Sequence, residues 1–447
     1  MRALPFRLPL IAGCMLAFAI SQAATAKTLC VNPSGSQGCY NSIQSAVNSA
    51  SPYDVVMVAT GVYHEEVDIG MPLSLRGAGA QASVIDAANL NHGVFVDGYD
   101  HPGLHDVNVS GFTVKGALYE GILVVSAWDV TIRNNRMVNN DTVPGLQFTG
   151  ELTGCPGQPG NGSYETDESG DCGGALHLVG TAYSVVSGNV ITGNADGVLI
   201  SDETAESHHN VLTHNRIVDN PLECGIVLAS HPPAGTTSNP AKHYGVDFNT
   251  IADNVSVGNG VQIGGAGVGI FSDGANQGRV SGNVIIHNVL NRNGLGGVSL
   301  HTHVGPNFGL PADDLNNNMI IGNSIAGNLA DQFDTATPGR VGININSGNG
   351  GSPVLGTVIS QNIIHDEDVD VAVNTPAEVD IHMNDLGGGK MGVADVCAFD
   401  HNSSCTGSID ATENFWGCAL GPGHAGCSNA SGAAVNFTPW LTRPVMP

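Results

Sequence analysis

The sequence predicts an all-β fold, a right-handed parallel β-helix built as a single-stranded solenoid. Three observations support this fold: short motifs bounded by Asn, short Gly-led runs of apolar residues between them, and no long stretch with the period of a helix. Such units stack as coils, because each strand pairs with its counterparts one coil above and below. A β-sandwich or a propeller fits less well, since hairpin turns and aromatic blade motifs do not recur.

The first repeat is the pattern Asn-x-Ile-x-x-Asn, with close variants. Its copies begin at Asn135, Asn189, Asn215, Asn249, Asn283, Asn318 and Asn362. Asn tolerates the left-handed backbone of tight turns, and stacked Asn side chains form hydrogen-bonded ladders. We therefore expect Asn ladders along the axis, and one buried column that contains Ile191, Ile217, Ile251, Ile285 and Ile320.

The second repeat is a Gly followed by alternating apolar residues, which is typical of a strand. Its copies begin at Gly121, Gly174, Gly197, Gly225, Gly269, Gly297 and Gly342. Because side chains alternate along a strand, the first and third residues after the Gly should point inward and the fourth outward. This alignment predicts an outward column of Val125, Leu178, Ser201, Ala229, Asp273, His301 and Asn346.

The two ends of the solenoid need caps. We expect a cap and first strand over 27–60, where Ser42–Val47 indicates a short amphipathic helix and Asp54–Ala59 a strand. The parallel β-helix should then run over 61–395, with an insertion loop at 141–171. A disulfide-stapled cap should follow over 396–447.

Residues 1–26 are typical of a signal peptide, with two Arg, an apolar run and the small-residue cleavage pattern Ala24-Thr25-Ala26. A membrane anchor and lipidation at Cys14 are the alternatives. Eight of the 10 cysteines form close pairs that we expect to be disulfides, as in an oxidising compartment. The pairs are Cys30 with Cys39, Cys155 with Cys172, Cys397 with Cys405 and Cys418 with Cys427. Cys224 should be a buried thiol. The protein is thus predicted to be secreted or periplasmic.

The formal net charge of −26, with 14 Lys and Arg, argues against nucleic acid and anionic membranes as partners. A polyanionic glycan would be repelled as well, unless cations bridge it. No segment after the signal is apolar enough to cross a bilayer.

Two motifs resemble a known group. Ile43-Gln44-Ser-Ala46-Val47, followed by Asp54-Val-Val-Met-Val-Ala-Thr-Gly61-Val-Tyr63-His-Glu65, resembles the start of pectin-lyase-like β-helix proteins. The Asn-bounded coils and the ending Asn414-Phe-Trp-Gly417…Pro439-Trp440-Leu441 resemble the bacterial β-helix repeat family that includes the periplasmic nitrous-oxide-reductase maturation type. The resemblance covers nearly the whole mature chain and implies the fold. It leaves the function open, because lyases, hydrolases, epimerases, adhesins and non-enzymatic proteins share this fold.

Long loops leave the Gly-led strands at one edge, over 232–244, 304–315 and 347–353, and would form one wall of a lengthwise groove. A candidate catalytic centre lies beside them at Asp273, His301 and His303, with Asp202, Glu203 and His231 as candidate substrate-binding residues. An imidazole next to a carboxylate suits acid–base chemistry. The alternatives are a transition-metal site and exposed polar residues without a role.

Specific enzyme signatures of the fold are mostly missing. Of the polygalacturonase-like set only Asp313-Asp314 occurs, the Asp-Pro-His motif of mannuronan epimerases is absent, and basic residues are scarce for a pectate-lyase-like site. No cofactor is firmly implied. Calcium is a candidate ligand of the acidic stretches Asp366–Asp370 and Tyr164–Asp171, although solvated charge is the interpretation that we favour for both.

The leading hypothesis is a secreted β-helix protein that binds or modifies an extracellular, neutral polysaccharide through the groove. Whether it is an enzyme is left open; a lyase, a glycoside hydrolase and an epimerase are the candidate activities. The alternatives are a non-catalytic structural or surface protein and a periplasmic metal-handling protein.

Overall fold

The computed structural model describes residues 26–141, 174–232, 244–262, 264–272, 277–302, 305–330, 339–346, 351–374, 376–396 and 406–445. These residues form three long sheets of 14, 12 and 11 strands and a short sheet of two strands. Every pairing between the described strands is parallel, and each coil between the two ends passes through the three long sheets in the same order. The parallel β-helix predicted from the repeats is confirmed.

Sheet A, with 14 strands, is the first sheet of each coil. Its strands are β1 (Thr28–Val31), β2 (Val55–Val58), β5 (Ser74–Gly77), β8 (Asn108–Ser110), β11 (Thr131–Arg133), β14 (Val185–Ser187), β18 (Val211–Thr213), β22 (Thr250–Ala252), β25 (Val284–Ile286), β28 (Met319–Ile321), β31 (Val354–Ser360), β34 (Ala377–His382), β37 (Gly407–Asp410) and β39 (Val435–Asn436). In each three-residue strand of this sheet the middle residue is apolar and buried, as the alternation of side chains requires.

Sheet B, with 11 strands, follows sheet A after a tight turn. Its strands are β3 (Gly61–Tyr63), β6 (Ser83–Asp86), β9 (Phe112–Lys115), β12 (Arg136–Val138), β15 (Val190–Thr192), β19 (Arg216–Val218), β23 (Val255–Val257), β26 (Val289–Asn291), β29 (Ser324–Ala326), β32 (Ile363–His365) and β35 (Asp385–Leu386). A two-strand sheet of β17 (Ser207–His208) and β21 (Val246–Asp247) precedes sheet A in two coils.

Sheet C, with 12 strands, holds the Gly-led strands. Its strands are β4 (Val67–Ile69), β7 (Val94–Asp97), β10 (Ile122–Val125), β13 (Leu176–Val179), β16 (Val198–Ser201), β20 (Ile226–Ser230), β24 (Val268–Ser272), β27 (Val298–Thr302), β30 (Val341–Asn346), β33 (Val369–Asn374), β36 (Met391–Asp395) and β38 (Asn429–Ser431). Inward residues such as Ile122 and Val124 pack in the central core of the solenoid.

The register of sheet C corrects two of the predicted alignments. Leu176 pairs with Ile122, so Ala175 takes the place of Gly121, and Val179 rather than Leu178 is outward there. In β24 the leading residue is Gly267, because Val268 and Ile270 fill the two inward positions. The first segment has Ala175 and no Gly at the leading position, and in the second segment the alignment started at Gly269, two residues too late. The outward column is therefore Val125, Val179, Ser201, Ala229, Phe271, His301 and Asn346.

The predicted column of Ile side chains is wrong in its arrangement. All five side chains are buried, but Ile191 and Ile217 pair in sheet B, whereas Ile251, Ile285 and Ile320 pair in sheet A. The reason is that the Asn-bounded unit of five residues is used twice in a coil, once for sheet A and once for sheet B. Copies that look alike in the sequence therefore belong to two columns.

The Asn ladders are confirmed, and the structure has three of them. One lies between sheets A and B, where Asn189, Asn215 and Asn254 are linked through backbone and side-chain hydrogen bonds of 3.0 Å. A second follows sheet B, and a third precedes sheet A. Each Asn spans two coils, so the ladders hold the register between neighbouring coils.

The ends agree with the predicted caps. Helix α1 (Ile43–Ser49) begins after Ser42, whose side chain accepts a hydrogen bond from the backbone of Ser45, and it packs against β1, β2 and β4. At the other end the indole of Trp416 is fully buried, and its ring lies 6.1 Å from that of Phe437.

Two of the four expected disulfides, Cys30–Cys39 and Cys418–Cys427, are formed. The other four cysteines of the predicted pairs lie outside the described residues, as do the signal peptide and most of the insertion loop. Cys224 is in no disulfide and is buried, and its sulfur accepts a hydrogen bond from the backbone of Ala266. Among the residues that are described, no helix has the length and apolar character needed to span a bilayer.

Candidate functional site

Three of the predicted site residues, Asp202, Glu203 and His231, meet at the end of sheet C. Asp202 and Glu203 follow β16, and His231 follows β20 one coil further on. Ser230 Oγ donates a hydrogen bond to Asp202 Oδ2 at 2.7 Å, and the backbone N–H of His231 donates to Asp202 Oδ1 at 2.7 Å. His231 Nδ1 lies 3.6 Å from Glu203 Oε1. The three side chains therefore form one polar cluster.

Burial sets the electrostatics of this cluster, because all three side chains are almost excluded from solvent. Burial, and then repulsion by Glu203, raise the pKa of Asp202 to about 7, and the hydrogen bonds from Ser230 and His231 only partly oppose this. A carboxyl group with a pKa near neutrality can both give and take a proton at pH 7. The cluster has the composition of an acid–base centre.

One aromatic ring, that of Phe271, separates His301 from this cluster. Its imidazole stacks on Phe271 with ring centres 5.3 Å apart, and Phe271 lies 6.1 Å from His231. Phe271 and Asn346 are the strand neighbours of His301. The prediction that Asp273 shares the outward position of His301 on the neighbouring strand is wrong, because β24 starts one Gly earlier and places Phe271 there. Asp273 and His303 themselves lie outside the described residues.

The outer face of sheet C is mostly covered. Its outward side chains are buried from Leu123 and Val125 in β10 to Asn344 and Asn346 in β30, with His301 partly exposed. Of the predicted groove wall, residues 233–243, 304 and 347–350 lie outside the described residues. Along the described part of this face, burial does not support an open lengthwise groove.

Sequence reasoning missed a second buried cluster on the same face. His92 Nδ1 lies 2.7 Å from Glu120 Oε2, His177 Nδ1 lies 3.7 Å from Glu120 Oε1, and His177 Nε2 is hydrogen-bonded to Ser201 Oγ at 2.7 Å. Burial alone would raise the pKa of Glu120, but attraction by His92 and contacts with both imidazoles outweigh it and lower that pKa to about 2. The sequence does contain a signal for this cluster, because His92 and Glu120 each directly precede the leading Gly of a coil.

The acidic stretch Asp366–Asp370 also differs from expectation. Solvated charge was expected, yet Glu367 is 2% exposed and Asp370 is fully buried. Glu367 Oε1 accepts hydrogen bonds from the backbone and side chain of Asn328, and so ends an Asn ladder. Burial raises the pKa of Glu367 to about 7 and raises that of Asp370 well above its usual value. The stretch Tyr164–Asp171 lies outside the described residues.

A third feature is exposed rather than buried. Seven rings line the border where the chain enters sheet A, and we call them the ring column: Tyr53, His105, Trp128, Tyr183, His208, His209 and Phe248. Tyr53, Tyr183 and Phe248 are each more than half exposed, and Trp128 is 38% exposed. The column follows the axis over successive coils.

The rings of the column contact one another in two runs. In the first run His105 stacks on Trp128 with ring centres 5.3 Å apart, and Tyr53 lies 6.5 Å from His105. In the second run His209 lies 5.2 Å from Tyr183 and 5.5 Å from Phe248. The two runs lie on neighbouring coils, because the backbone of Trp128 forms a bridge with that of Ala182, the residue before Tyr183.

The local backbone explains why these rings point outward. Tyr53, Tyr183, His209 and Phe248 all have a left-handed backbone, with φ between 54° and 70°, two residues before a sheet A strand. At this bend the chain turns around the corner of the solenoid, so the side chain projects away from the core. A shallow cavity of about 270 Å³, lined by Gly70–Pro72 and His101–Leu104, lies close to the Tyr53 end. Sequence reasoning missed the column because its members are spaced irregularly along the chain.

These features define a class: a right-handed parallel β-helix of the pectin-lyase-like fold, with buried ionisable clusters beside sheet C and an exposed row of rings. The family model for the right handed beta helix region matches residues 80–242. No curated protein sequence matches the chain.

Solved structures with similar folds share little sequence with the chain. The tailspike protein of E. coli bacteriophage HK620, in complex with a pentasaccharide, aligns with a TM-score of 0.52 at 9% identity, over 92% of this chain and 67% of the tailspike chain. A thermostable alpha-1,3-glucanase from Streptomyces thermodiastaticus aligns with a TM-score of 0.51 at 16% identity, over 90% of this chain and 66% of that one. The mannuronan C-5 epimerase A-module of Azotobacter vinelandii aligns with a TM-score of 0.50 at 15% identity, over 89% and 94%. At such low sequence identities, the structural similarity establishes the fold alone.

Proposed function

We propose that the protein binds a neutral polysaccharide along the ring column. The observation that carries this proposal is the exposure of stacked aromatic rings over successive coils of a rigid solenoid. The face of an aromatic ring is electron-rich, and it attracts the C–H groups on the face of a sugar ring while both surfaces leave water. Strands about 4.8 Å apart repeat these rings along the axis, which suits an extended polymer.

The charge of the chain narrows the class of ligand. A net charge of −26 repels an acidic polysaccharide, whereas a neutral chain of hexoses pays no such cost. Burial lowers the pKa of His208, which keeps this imidazole neutral at neutral pH. Pentasaccharide binding by the tailspike and the glucan named for the glucanase support a saccharide ligand on this fold.

The test is the affinity of the protein for a panel of soluble neutral glucans, measured by affinity electrophoresis and calorimetry. The variants are Trp128→Ala and the pair Tyr183→Asn and Phe248→Asn, because Asn tolerates the left-handed backbone at both positions. Each lost ring should weaken binding about two- to ten-fold. Leu420→Ala is the matched control, since Leu420 is 59% exposed and lies outside the column. Absence of glucan binding, or equal affinity in all variants, would refute the proposal.

A second candidate function is turnover of the bound polysaccharide. It is favoured by Asp202, which has a pKa of about 7 and belongs to the same cluster as Glu203 and His231. The ring of Phe271 connects this cluster to His301. Asp273 and His303 remain proposed members of this centre. Assays for new reducing ends and for unsaturated products should show activity in the wild-type chain and its loss in Asp202→Asn and in His301→Ala. Binding without product in the wild type would leave a lectin-like role instead.

We also propose that the chain is exported. The two disulfides fit an oxidising compartment, and 1–26 has the pattern of a signal peptide. Amino-terminal sequencing of the exported protein should begin at Lys27. A mature chain that keeps residues 1–26 in the cytoplasm would contradict this.

A further inference from the structure

We propose that Asp380, His382 and Asp410 bind a divalent transition metal ion, for which Zn²⁺ is the best match. This site goes beyond polysaccharide binding and lies on the outer face of sheet A. Asp380 and His382 stand two residues apart in β34, so both point outward, and Asp410 in β37 pairs directly with Asp380. One ligand atom from each residue lies within 4.8 Å of the other two.

The imidazole of His382 is oriented by the backbone. Its Nδ1 lies 2.9 Å from the carbonyl oxygen of Thr412. A carbonyl oxygen can only accept, so Nδ1 carries the proton, and in the neutral ring the lone pair is on Nε2. Donation of one ring N–H to a backbone carbonyl, with the other nitrogen turned to the ion, is the usual arrangement of metal-binding His.

The same peptide also orients Asp410. The backbone N–H of Thr412 donates to Asp410 Oδ1 at 3.1 Å, which leaves Oδ2 turned toward His382. Thr412 therefore positions two of the three donor groups through its N–H and its carbonyl. The side chains of His382 and Asp410 are 30% and 45% exposed, so an ion can reach them from solvent.

The two ligand atoms that face each other are close enough to bind one ion. His382 Nε2 and Asp410 Oδ2 are 3.9 Å apart, which is too long for a hydrogen bond. With the proton on Nδ1, both atoms present lone pairs that one cation can accept. Two bonds of about 2.0–2.2 Å at a tetrahedral zinc ion place their ligand atoms roughly 3.3–3.6 Å apart, so a small movement of these exposed side chains would complete the geometry.

The donor set selects the class of metal. One imidazole and two carboxylates suit Zn²⁺ and similar ions, whereas Ca²⁺ prefers oxygen donors alone. Three protein ligands on one open sheet face leave room for water as a further ligand. The aspartates and the imidazole come from adjacent strands of a rigid sheet, so little reorganisation is needed on binding.

The experiment is calorimetric titration of the full-length, chelator-treated protein with ZnCl₂, with Co²⁺ absorption spectra as a second readout. We expect one Zn²⁺ per chain, and at least about tenfold weaker binding in His382→Ala and in Asp410→Asn. The Co²⁺ spectrum should change in the same two variants. CaCl₂ should not compete.

The matched control is His365→Ala, which removes another exposed imidazole that lies 3.0 Å from a neighbouring carboxylate, that of Asp366. It should leave the titration unchanged. Because the three site residues are on the surface, thermal melting of the metal-free variants should match the wild type. Equal Zn²⁺ binding by His382→Ala and the wild type, or no binding by the wild type, would overturn the proposal.

Discussion

Several buried ionisable residues have shifted pKa values, which makes the stability of the fold depend on pH. Asp202 has a pKa raised to about 7, mainly by burial and then by repulsion from Glu203. Its usual value is 3.8, so between about pH 4 and 7 the folded protein holds a proton that the unfolded chain has released. This carboxyl group therefore makes the fold less stable as pH rises through that range, and the loss is complete above pH 7.

Replacement of Asp202 by Asn should remove this loss. At pH 8 we expect Asp202→Asn to be more stable than the wild type, by on the order of 2–4 kcal/mol at most, because one pKa unit corresponds to about 1.4 kcal/mol. At pH 4 the two proteins should differ little. Denaturant unfolding at a series of pH values measures the difference.

Asp253→Asn is the control, because Asp253 is exposed and its left-handed backbone, with φ 56°, also suits Asn. Its stability should follow the wild-type pH curve. If Asp202→Asn is less stable than the wild type at pH 8, then the fold prefers the carboxylate form of Asp202, which would contradict this prediction.

At the scale of elements, the Asn ladders hold the turns of neighbouring coils in register through side-chain hydrogen bonds. The side chain of Asn254 accepts two hydrogen bonds from Asn215 and donates to the carbonyl of Leu212 at 2.9 Å and to Asn288 at 3.1 Å. One side chain thus satisfies polar groups of the coils on both sides. Because the turns have few residues, the backbone cannot supply these partners itself.

Removal of one Asn side chain from a ladder should therefore lower the free energy of unfolding. We expect Asn254→Ala to lower the free energy of unfolding by about 3–6 kcal/mol, since several buried groups lose their partners at about 1–3 kcal/mol each. Asn48→Ala is the matched control, because Asn48 is exposed on α1 and its side chain accepts one hydrogen bond, from Gln44. That variant should stay within about 0.5 kcal/mol of the wild type. Equal effects in chemical denaturation would show that the ladder adds no specific stability.

At the scale of the whole molecule, the net charge of −26 repels itself. Salt screens this repulsion, with a Debye length that falls from about 30 Å at 0.01 M to about 8 Å at 0.15 M. The melting temperature should therefore rise when NaCl is increased over this range. The affinity for a neutral glucan should change little over the same range, because no ion pair is formed. A melting temperature that falls with NaCl would contradict the first expectation, and a steep salt dependence of binding the second.

Local sequence determined the fold because its signals are short-range. Asn at a spacing of five residues and Gly before alternating apolar residues define turns and strands within a few residues, and the stacking of identical coils then follows. The helix at Ile43–Ser49, the two described disulfides and the buried Cys224 were also predicted from local patterns. The parallel β-helix itself needed no tertiary information.

The tertiary structure decided the register and the sites, since these depend on which residues meet across coils of unequal length. The leading Gly of β24 is Gly267 and not Gly269, so Phe271 occupies the position opposite His301 that the sequence alignment had assigned to Asp273. The rings from Tyr53 to Phe248 are scattered along the chain and meet only because each precedes a sheet A strand. The pairing of Asp380 with Asp410 likewise needs the fold, because 30 residues of chain separate two side chains that neighbouring strands bring together.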